Sequence, residues 1–362
     1  GDRPMAGVQY HLHHLGKASH ESDCYVFQLC VSHANGKIAA SNSKHTIKLY
    51  NKDTLQYLGE CKKKHQTEIR DICWSPTTPD TLVSCDGWGT VLLWDTRQMS
   101  GQNLPIHINA KELLFSLDLA GCGNILALGD NMDTVLYDLR RPDVELRRIE
   151  EFHTDEITKV RFHPTQQNIL CTSSEDSLIN VLDLTKEGDD DDLLMWVFNT
   201  SNPVNNLFFC GDQGECVVGL TTCEEVVFGS LESGEMLGSL NRQSDDSYVI
   251  SCHYGPVFGK NEVVIFSGTK LEGVEGNMIM QTAIPQQYSP PVALFQGGHS
   301  DMIRSVVCLD EMRTLVTAGE DGNLCMWKTE PPTQADKERV MREHEASQAS
   351  QAAKPKKKYK PY

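Results

Sequence analysis

Short apolar runs, each preceded by a turn cluster, recur along the chain and predict β-strands. Thr46-Ile-Lys-Leu-Tyr50 follows the cluster Asn42-Ser-Lys-His45, and Thr90-Val-Leu-Leu-Trp94 follows Asp86-Gly-Trp-Gly89. Runs of β-branched, aromatic and aliphatic residues bounded by Gly, Asn, Asp and Ser are typical of strands joined by tight turns. The second run is almost continuously apolar, which indicates a strand covered on both faces. The pattern therefore favours an all-β chain.

The same strand recurs at a nearly constant interval. His65 precedes Trp94 by 29 residues, and His299 precedes Trp327 by 28. The residue that closes the equivalent strand in each copy gives the series Tyr50, Trp94, Tyr137, Leu182, Phe228, Gln281 and Trp327. The steps are 44, 43, 45, 46, 53 and 46 residues, and we assign the longest to an insertion near 241–261. A period in the mid-forties predicts four-stranded propeller blades, and residues 8–332 have room for seven.

The N-terminal segment alternates apolar and polar residues, as an outer strand does. Val8, Tyr10 and Leu12 alternate with polar residues, namely Gln9, His11 and His13. Period-two alternation predicts a strand with one covered face. We expect this strand to complete the blade begun by the C-terminal repeat, because closing the ring removes free sheet edges.

Several motifs resemble the WD40 repeat family, whose fold is the β-propeller. They are the dipeptide Trp94-Asp95, the pair Gly298-His299 and the hairpin Gly319-Glu-Asp-Gly322. The resemblance spans most of the chain. Within the family, the stretch His153 to Pro164 and the stretch from Gly297 through Ala318-Gly-Glu-Asp-Gly-Asn323 to Lys328 look most like the WD repeat-containing protein 89 group.

The resemblance also implies structural residues inside the blades. In this family a buried network links a His, a strand Ser or Thr, a hairpin Asp and a Trp, which here implies His65, Trp94, His153, Asp176, His299, Asp321 and Trp327. Leu182 replaces the Trp of blade four. In blade two Trp88 falls where the hairpin Asp is expected, with Asp86 two residues earlier. The repeats of blades five and six contain neither the Trp-Asp nor the Gly-His dipeptide.

Composition indicates an intracellular protein, cytoplasmic, nuclear or both. The hydrophobic content is 39%, and no run approaches the ~18 apolar residues that a membrane span requires. The 13 cysteines contain no Cys-x-x-Cys motif. An odd number of scattered cysteines indicates small buried thiols in a reducing compartment rather than a disulfide or zinc framework.

Charge separates the predicted ring from its tail. The net charge is −17, and the segment from Thr333 onward holds eight Lys or Arg against four Asp or Glu, so residues 1–332 carry −21. We interpret residues 1–7 as a tag remnant and disordered N-terminus, 8–332 as the propeller, and 333–362 as a C-terminal helix and basic tail. The tail lysines resemble a nuclear localisation signal, with a merely solvated terminus as the alternative: Lys354, Lys356, Lys357, Lys358 and Lys360.

The sequence offers little catalytic chemistry. His299, Ser300 and Asp301 are adjacent, and a strand or turn splays such neighbours apart, whereas a triad needs them to converge. His13 and His14 would face opposite sides of a strand, which disfavours a metal site. We therefore expect no enzymatic activity, no cofactor and no metal.

A binding module is the leading hypothesis for function. A rigid ring of loops suits recognition of other proteins, and we expect a monomeric scaffold without membrane or direct nucleic-acid contacts. The acidic ring suggests a second hypothesis, a chaperone for a basic client such as a ribosomal protein or histone. A solvated acidic surface that only maintains solubility is the plainer interpretation.

A third hypothesis rests on a short motif. Trp94-Asp-Thr-Arg97 is similar to the Trp-Asp-x-Arg motif of propellers that serve as substrate receptors of cullin-4 ubiquitin ligases through the DDB1 adaptor, and Tyr137-Asp-Leu-Arg140 follows one blade later. The resemblance implies adaptor contacts by Trp94, Asp95, Arg97, Tyr137, Asp138 and Arg140. Alternatively, Asp95 and Asp138 cap strand turns and the arginines pair with nearby acids.

Overall fold

A computed structural model describes most of the chain. The described residues are 10–19, 24–61, 65–98, 107–109, 113–257, 260–269, 276–309 and 313–329, and the side chains of 10–19, 107–109 and 329 are not among them. Within these residues the chain forms 28 strands and one short 3-10 helix, Asp190–Leu193. No helix of this part is long and apolar enough to cross a membrane. The predicted helix and basic tail at 333–362 and the N-terminal segment 1–7 lie outside the described residues.

The first five blades are separate four-stranded antiparallel sheets, each built from consecutive strands. Blade one holds β2 (Val26–Ser32), β3 (Lys37–Asn42), β4 (Ile47–Asn51) and β5 (Tyr57–Cys61). Blade two holds β6 (Ile69–Trp74), β7 (Thr81–Asp86), β8 (Thr90–Asp95) and β9 (His107–Asn109). Blade three holds β10 (Leu114–Leu119), β11 (Ile125–Asp130), β12 (Asp133–Asp138) and β13 (Glu145–Ile149). Blade four holds β14 (Ile157–Phe162), β15 (Ile169–Ser174), β16 (Leu178–Asp183) and β17 (Leu194–Asn199). Blade five holds β18 (Val204–Cys210), β19 (Cys216–Thr221), β20 (Val226–Ser230) and β21 (Met236–Leu240).

The N-terminal strand β1 (Tyr10–Ser19) joins the last two blades into one eight-stranded sheet. Blade six holds β22 (Ser247–Val257), β23 (Lys260–Thr269), β24 (Gly276–Ile284) and β25 (Gln287–His299), and blade seven holds β26 (Ile303–Leu309), β27 (Thr314–Gly319) and β28 (Asn323–Thr329). Strand β1 runs antiparallel to β28 as the fourth strand of blade seven and touches β25 in parallel at Tyr10. The extra residues of blade six lengthen β22 and β23, which hold 11 and 10 residues.

The blades form a closed ring around a central channel. The first strands contact one another in the order β2, β6, β10, β14, β18, β22 and β26, and β26 returns to β2. Seven apolar cores lie between neighbouring blades, for example Ile47 and Leu49 of blade one against Ile72 and Leu82 of blade two. The predicted seven-bladed propeller closed by an N-terminal strand is confirmed.

The seven sequence markers all lie on the third strand of their blades, from Tyr50 on β4 to Trp327 on β28. We call the face that carries the turns between second and third strands, together with the connections between blades, the upper face. The opposite face is the lower face. Each first strand therefore runs from the upper face to the lower face along the channel.

Candidate protein-interaction surface

Blade two contains a complete buried network of four side chains. His65 Nδ1 lies 3.0 Å from the Asp86 carboxylate and His65 Nε2 lies 2.7 Å from the Ser84 hydroxyl, which also accepts a hydrogen bond of 2.8 Å from Trp94 Nε1. Burial alone would raise the pKa of Asp86, but the hydrogen bond from His65 and its neighbours lower it. Trp88 stands in the hairpin position that Asp321 and Asp176 occupy in the equally long hairpins of blades seven and four. Asp86, two residues earlier at the end of β7, supplies the carboxylate of this network instead.

Blade seven repeats the arrangement at every position. His299 lies 3.0 Å from Asp321 and 2.7 Å from the Thr317 hydroxyl, and Trp327 Nε1 donates to that hydroxyl at 2.8 Å. Burial opposes ionisation of Asp321, yet the hydrogen bond and charge of His299 hold its pKa well below the ordinary range. The network joins the connection before the blade to its second and third strands.

Blade four keeps the network without an indole. His153 lies 3.0 Å from Asp176 and 2.8 Å from Thr172, and the Asn180 side-chain amide lies 3.2 Å from His153 Nε2. Leu182 packs into the apolar core in place of the Trp. These hydroxyls resemble catalytic nucleophiles beside a base, but each is buried within a blade, so the networks act as structural links.

Every first strand carries a β-bulge at the same position near the upper face. A bulge re-aims the extra side chain away from the regular alternation of the strand. The seven bulged residues are Phe27, Arg70, Phe115, Thr158, Asn205, Ile250 and Arg304. Four of them, Phe27, Arg70, Ile250 and Arg304, line a cavity of about 400 Å³ together with other residues of the first strands, and we call this cavity the mouth of the channel.

The mouth combines aromatic rings with arginine at blades one to three. The Arg70 guanidinium lies 5.9 Å from the centre of the Phe115 ring, and Tyr25 and Phe27 have ring centres 6.5 Å apart. Arg70 is also paired with Glu68 at 3.3 Å. Arginine stacked on an aromatic ring presents a flat, partly apolar surface to a partner.

Below the mouth, Asp71 is the centre of a network that spans the channel. It accepts hydrogen bonds from Gln28 at 2.7 Å, Ser116 at 2.6 Å and Lys159 at 2.9 Å, so four blades meet at one carboxylate. Arg161 approaches the same carboxylate at 3.3 Å. Burial opposes ionisation, but the charges of Lys159 and Arg161 hold the pKa of Asp71 well below its usual value.

Large apolar side chains are exposed on the upper face of three successive blades. Trp88, at the tip of the hairpin of blade two, is 68% exposed. Tyr25, Leu113 and Met132 are also exposed, on the connection before blade one, on the connection before blade three and on the hairpin of blade three. We call these four residues the upper apolar arc. An exposed Trp among other apolar side chains is typical of protein contact surfaces.

The other side of the upper face is acidic. The upper acidic arc, on the loops of blades four, six and seven, comprises Asp155, Glu156, Glu175, Asp245, Asp246 and Asp301. Burial raises the pKa of Glu175, and the negative charges of Asp155 and Glu156 raise it further. Like charges therefore crowd together here. The upper face thus joins an apolar half to a negatively charged half.

The two adaptor-motif arginines lie on the lower face in matching conformations. Arg97 forms bidentate hydrogen bonds to Asp95 at 2.9 and 2.7 Å, and Arg140 bonds to Asp138 at 2.9 and 2.6 Å. Their side chains are 68% and 69% exposed. The hydrogen bond from each arginine lowers the pKa of its aspartate partner to about 2. Both pairs follow the third strand of neighbouring blades.

The aromatic residues of the motif face inward. Trp94 belongs to the blade-two network, and Tyr137 is buried in the core between blades two and three, beside Glu145. Of the six motif residues, Arg97 and Arg140 are therefore the exposed ones, with Asp95 and Asp138 partly exposed beside them. The five tail lysines from Lys354 to Lys360 lie outside the described residues. Among the described residues, no group of three or more His, Cys, Asp or Glu side chains could hold a metal ion.

Sequence reasoning missed Asp71 and the exposure of Trp88. Asp71, Ser116 and Lys159 occupy the same position on the first strands of blades two, three and four. Aligning the repeats on their third-strand markers would have placed these polar residues in one ring. The exposure of Trp88 has no comparable signal, because Gly87 and Gly89 on either side permit many turn conformations.

Comparisons with known proteins agree with this architecture. The WD domain, G-beta repeat family matches residues 58–95, 145–183 and 290–328. Each match begins on the fourth strand of one blade and ends on the third strand of the next. The N-terminal strand β1 shows the same offset, because it is the fourth strand of blade seven and precedes blade one in the chain. The chain is 31% identical over 326 residues to WD repeat-containing protein GTS1 of Arabidopsis thaliana, covering 84% of this chain and 81% of that protein. It is 30% identical over 321 residues to the WD repeat-containing protein 89 homolog of Dictyostelium discoideum, covering 86% and 84%. The chain belongs to the WD40 repeat family of β-propeller proteins.

Proposed function

We propose that this chain is a non-enzymatic scaffold that holds a partner protein on its upper face. The observation that carries the proposal is the 68% exposure of Trp88 on the same face as the other members of the upper apolar arc. Tryptophan loses little conformational entropy on binding and is enriched at the energetic centres of protein interfaces. A ring with seven packed cores presents such a residue without a cost of ordering the scaffold.

The channel mouth extends this surface inward. Phe27 and Arg70 line the channel mouth. The Phe27 ring lies near that of Tyr25 in the upper apolar arc, and the Arg70 guanidinium lies over the Phe115 ring. A partner segment lying across blades one to three would cover Trp88 at the outside and Arg70 at the inside. We therefore expect one continuous contact surface rather than isolated anchors.

Replacing Trp88 with Ala tests the proposal. Affinity capture of the full chain with quantitative mass spectrometry should lose its specific partners on this change, because a central Trp contributes on the order of 2 kcal/mol or more to an interface. The matched control is Ile284→Ala, since Ile284 is 62% exposed on the lower face. Equal partner recovery by both variants and the unchanged protein would contradict the assignment of the upper face.

The charge of the upper acidic arc favours a basic partner. Residues 1–332 carry a net charge of −21, and Asp155 and Glu156 crowd Glu175 on this face. A field of one sign speeds the encounter with an oppositely charged protein and disfavours acidic competitors. In its more specific form, the proposal is that the partner is a basic client such as a ribosomal protein or histone.

Salt dependence distinguishes a basic client from a neutral one. Exposed charges are screened beyond about 10 Å at 0.1 M salt, so capture of a basic client should fall steeply when salt is raised. Replacing Asp245 and Asp246 with Asn should reduce that dependence. Capture that is insensitive to salt would leave the scaffold proposal in place and remove the basic client.

Binding of the DDB1 adaptor is a second candidate function, favoured by the matching geometry of Arg97 and Arg140. Each guanidinium is exposed and is held in one orientation by the aspartate two residues earlier. Two arginines fixed on neighbouring blades suit recognition of acidic or carbonyl groups on an adaptor surface. The alternative is that the pairs only cap the turns after the third strands.

Adaptor pull-down separates these alternatives. Changing Arg97 and Arg140 together to Ala should abolish capture of the adaptor while thermal unfolding stays unchanged. Arg242→Ala is the matched control, because Arg242 forms a comparable surface pair with Asp245 at 2.8 Å on the upper face. Failure of the unchanged protein to capture the adaptor would dispose of this candidate.

Nuclear import through Lys354–Lys360 is proposed from composition alone. A cluster of lysines with one proline suits recognition by an acidic import receptor. Residues 350–362 fused to a diffusible reporter should concentrate it in the nucleus. An unchanged cytoplasmic distribution would argue against a signal in this segment.

A further inference from the structure

Two cysteines face each other across the first hairpin of blade five. Cys210 ends β18, Cys216 begins β19, and the two are direct partners in the antiparallel register. Directly opposed residues of antiparallel strands have Cα atoms about 4.5–5.5 Å apart, which is within the range that a disulfide bridges. The backbone of this hairpin therefore already has the geometry of a linked pair.

The two thiols also interact with each other. The interaction of the two thiols is the largest influence on the ionisation of both, and it lowers the pKa of Cys216 while raising that of Cys210. By contrast, burial raises the pKa of Cys30 to about 11 and those of Cys61 and Cys252 to about 12. The thiolate is the reactive form of cysteine, so the lowered pKa makes Cys216 the more reactive thiol of the two.

Accessibility assigns different roles to the pair. Cys216 is half-buried, whereas Cys210 is buried behind it. A small oxidant therefore reaches Cys216 first, and Cys210 is the neighbouring thiol that can resolve an oxidised Cys216. A reactive thiolate beside a resolving cysteine is the usual arrangement of a redox-sensing site.

The connection between the two cysteines links three blades. Asp212 accepts hydrogen bonds of 2.9 Å from the Tyr254 hydroxyl and 2.7 Å from the Asn261 amide, both on blade six. On the other side, the Gly214 carbonyl lies 3.1 Å from His163 Nε2 of blade four. A covalent link at the base of this connection would restrain the lower edges of blades four, five and six together.

We propose that Cys210 and Cys216 are a peroxide-sensitive dithiol that forms a reversible disulfide. The Cys216 thiolate attacks hydrogen peroxide, its sulfur takes one oxygen, and hydroxide leaves, which gives a sulfenic acid. The Cys210 thiol then attacks that sulfur, the S–O bond breaks, and the S–S bond forms with release of water. A dithiol reductant such as reduced thioredoxin restores both thiols with the two electrons that oxidation removed.

Peptide mapping of the full chain in the Cys223→Ser background tests the site. Cleavage after Glu215 separates Cys210 from Cys216, and the Cys223 replacement leaves one cysteine in the peptide that follows. After treatment with dilute hydrogen peroxide and alkylation, the two peptides should be recovered as one disulfide-linked species. Dithiothreitol should return both to the alkylated form.

Single replacements complete the test. Cys210→Ser should convert the linked product into a sulfenic acid at Cys216 that dimedone traps, and Cys216→Ser should remove peroxide reactivity from Cys210. The exposed Cys122 is the internal reference for a thiol without a resolving partner. The proposal is overturned if Cys210 and Cys216 stay fully alkylatable under conditions that oxidise Cys122, or if Cys216 forms no dimedone adduct in Cys210→Ser.

Discussion

The Asp71 carboxylate accepts a 2.9 Å hydrogen bond from the Lys159 ammonium, although the two residues lie on blades two and four and are 88 positions apart. Both side chains are buried beside the channel. Burial lowers the pKa of Lys159, and the negative charge of Asp71 opposes that effect. The pair therefore links non-adjacent blades across the ring, in addition to the apolar cores that link adjacent ones.

Replacing Asp71 with Asn should strongly destabilise the ring. The change leaves the buried Lys159 without its counter-charge, and removing one partner of a buried ion pair costs about 3–5 kcal/mol. Denaturant unfolding measures the loss. Asp53→Asn is the control, because Asp53 forms an exposed pair with Lys52 and such pairs contribute about 0–1 kcal/mol. Equal losses of unfolding free energy for the two variants would show that the channel network contributes no more stability than an exposed ion pair.

The Ser84 hydroxyl should contribute strongly to the free energy of unfolding, although it is a small group. It bonds both His65 and Trp94, so Ser84→Ala leaves two buried polar groups without a partner. Each such group costs about 1–3 kcal/mol, and we expect the free energy of unfolding to fall by a value in that range or above it. Ser239→Ala, at an exposed position of β21, should cost little. A loss below 0.5 kcal/mol for Ser84→Ala would contradict a structural role of the network, by the usual range for surface changes.

His253 gives the stability a defined pH dependence. Burial lowers the pKa of His253 to about 4, against about 6.5 for an unfolded chain. The unfolded state therefore binds the proton first, and this contribution is complete above pH 6.5 and is lost as the pH falls towards 4. One such group gives a slope of about 1.4 kcal/mol per pH unit in that window.

The variant His253→Gln should remove that slope. Urea unfolding at several pH values between 4 and 7 measures the change, and replacement of the exposed His33 by Gln should leave the slope in place. A pH profile of His253→Gln that parallels the unchanged protein would mean that His253 is protonated equally in the folded and unfolded states.

Strand β1 should hold the ring closed. It pairs with β28 from Leu12 to Ser19, so deleting residues 1–19 exposes the edge of blade seven and breaks the link to β25. We expect a lower midpoint of thermal unfolding than for a deletion of residues 1–7 alone. Identical melting of the two truncations would show that closure by β1 contributes no stability.

Sequence periodicity predicted the architecture because each blade repeats one hydrophobic pattern. The third-strand markers located even blades five and six, where Phe228 and Gln281 replace the Trp, since the spacing of strands survives when signature residues do not. The network of blade two was harder to assign, because Trp88 occupies the usual hairpin Asp position and Asp86, two residues earlier, supplies the carboxylate. This change of carboxylate position alters neither the hairpin length nor the period.

The candidate surface could not be predicted to the same extent. The Asp71 to Lys159 contact exists only because ring closure brings distant first strands together, and no local pattern encodes that distance. The exposure of Trp88, likewise, depends on how one glycine-flanked hairpin projects from the upper face. Arg97 and Arg140 were identified by their motif, but their pairing with Asp95 and Asp138 became visible only with the side chains in place.

Site-specific photo-crosslinking tests most directly the claim that the upper face holds the partner. A photoreactive phenylalanine analogue would replace Trp88 in one variant and Ile284 in another, with both variants expressed in cells. We predict that position 88 yields a discrete crosslinked partner and that position 284 does not yield the same species. A partner crosslinked through position 284 alone, with none through position 88, would contradict the account.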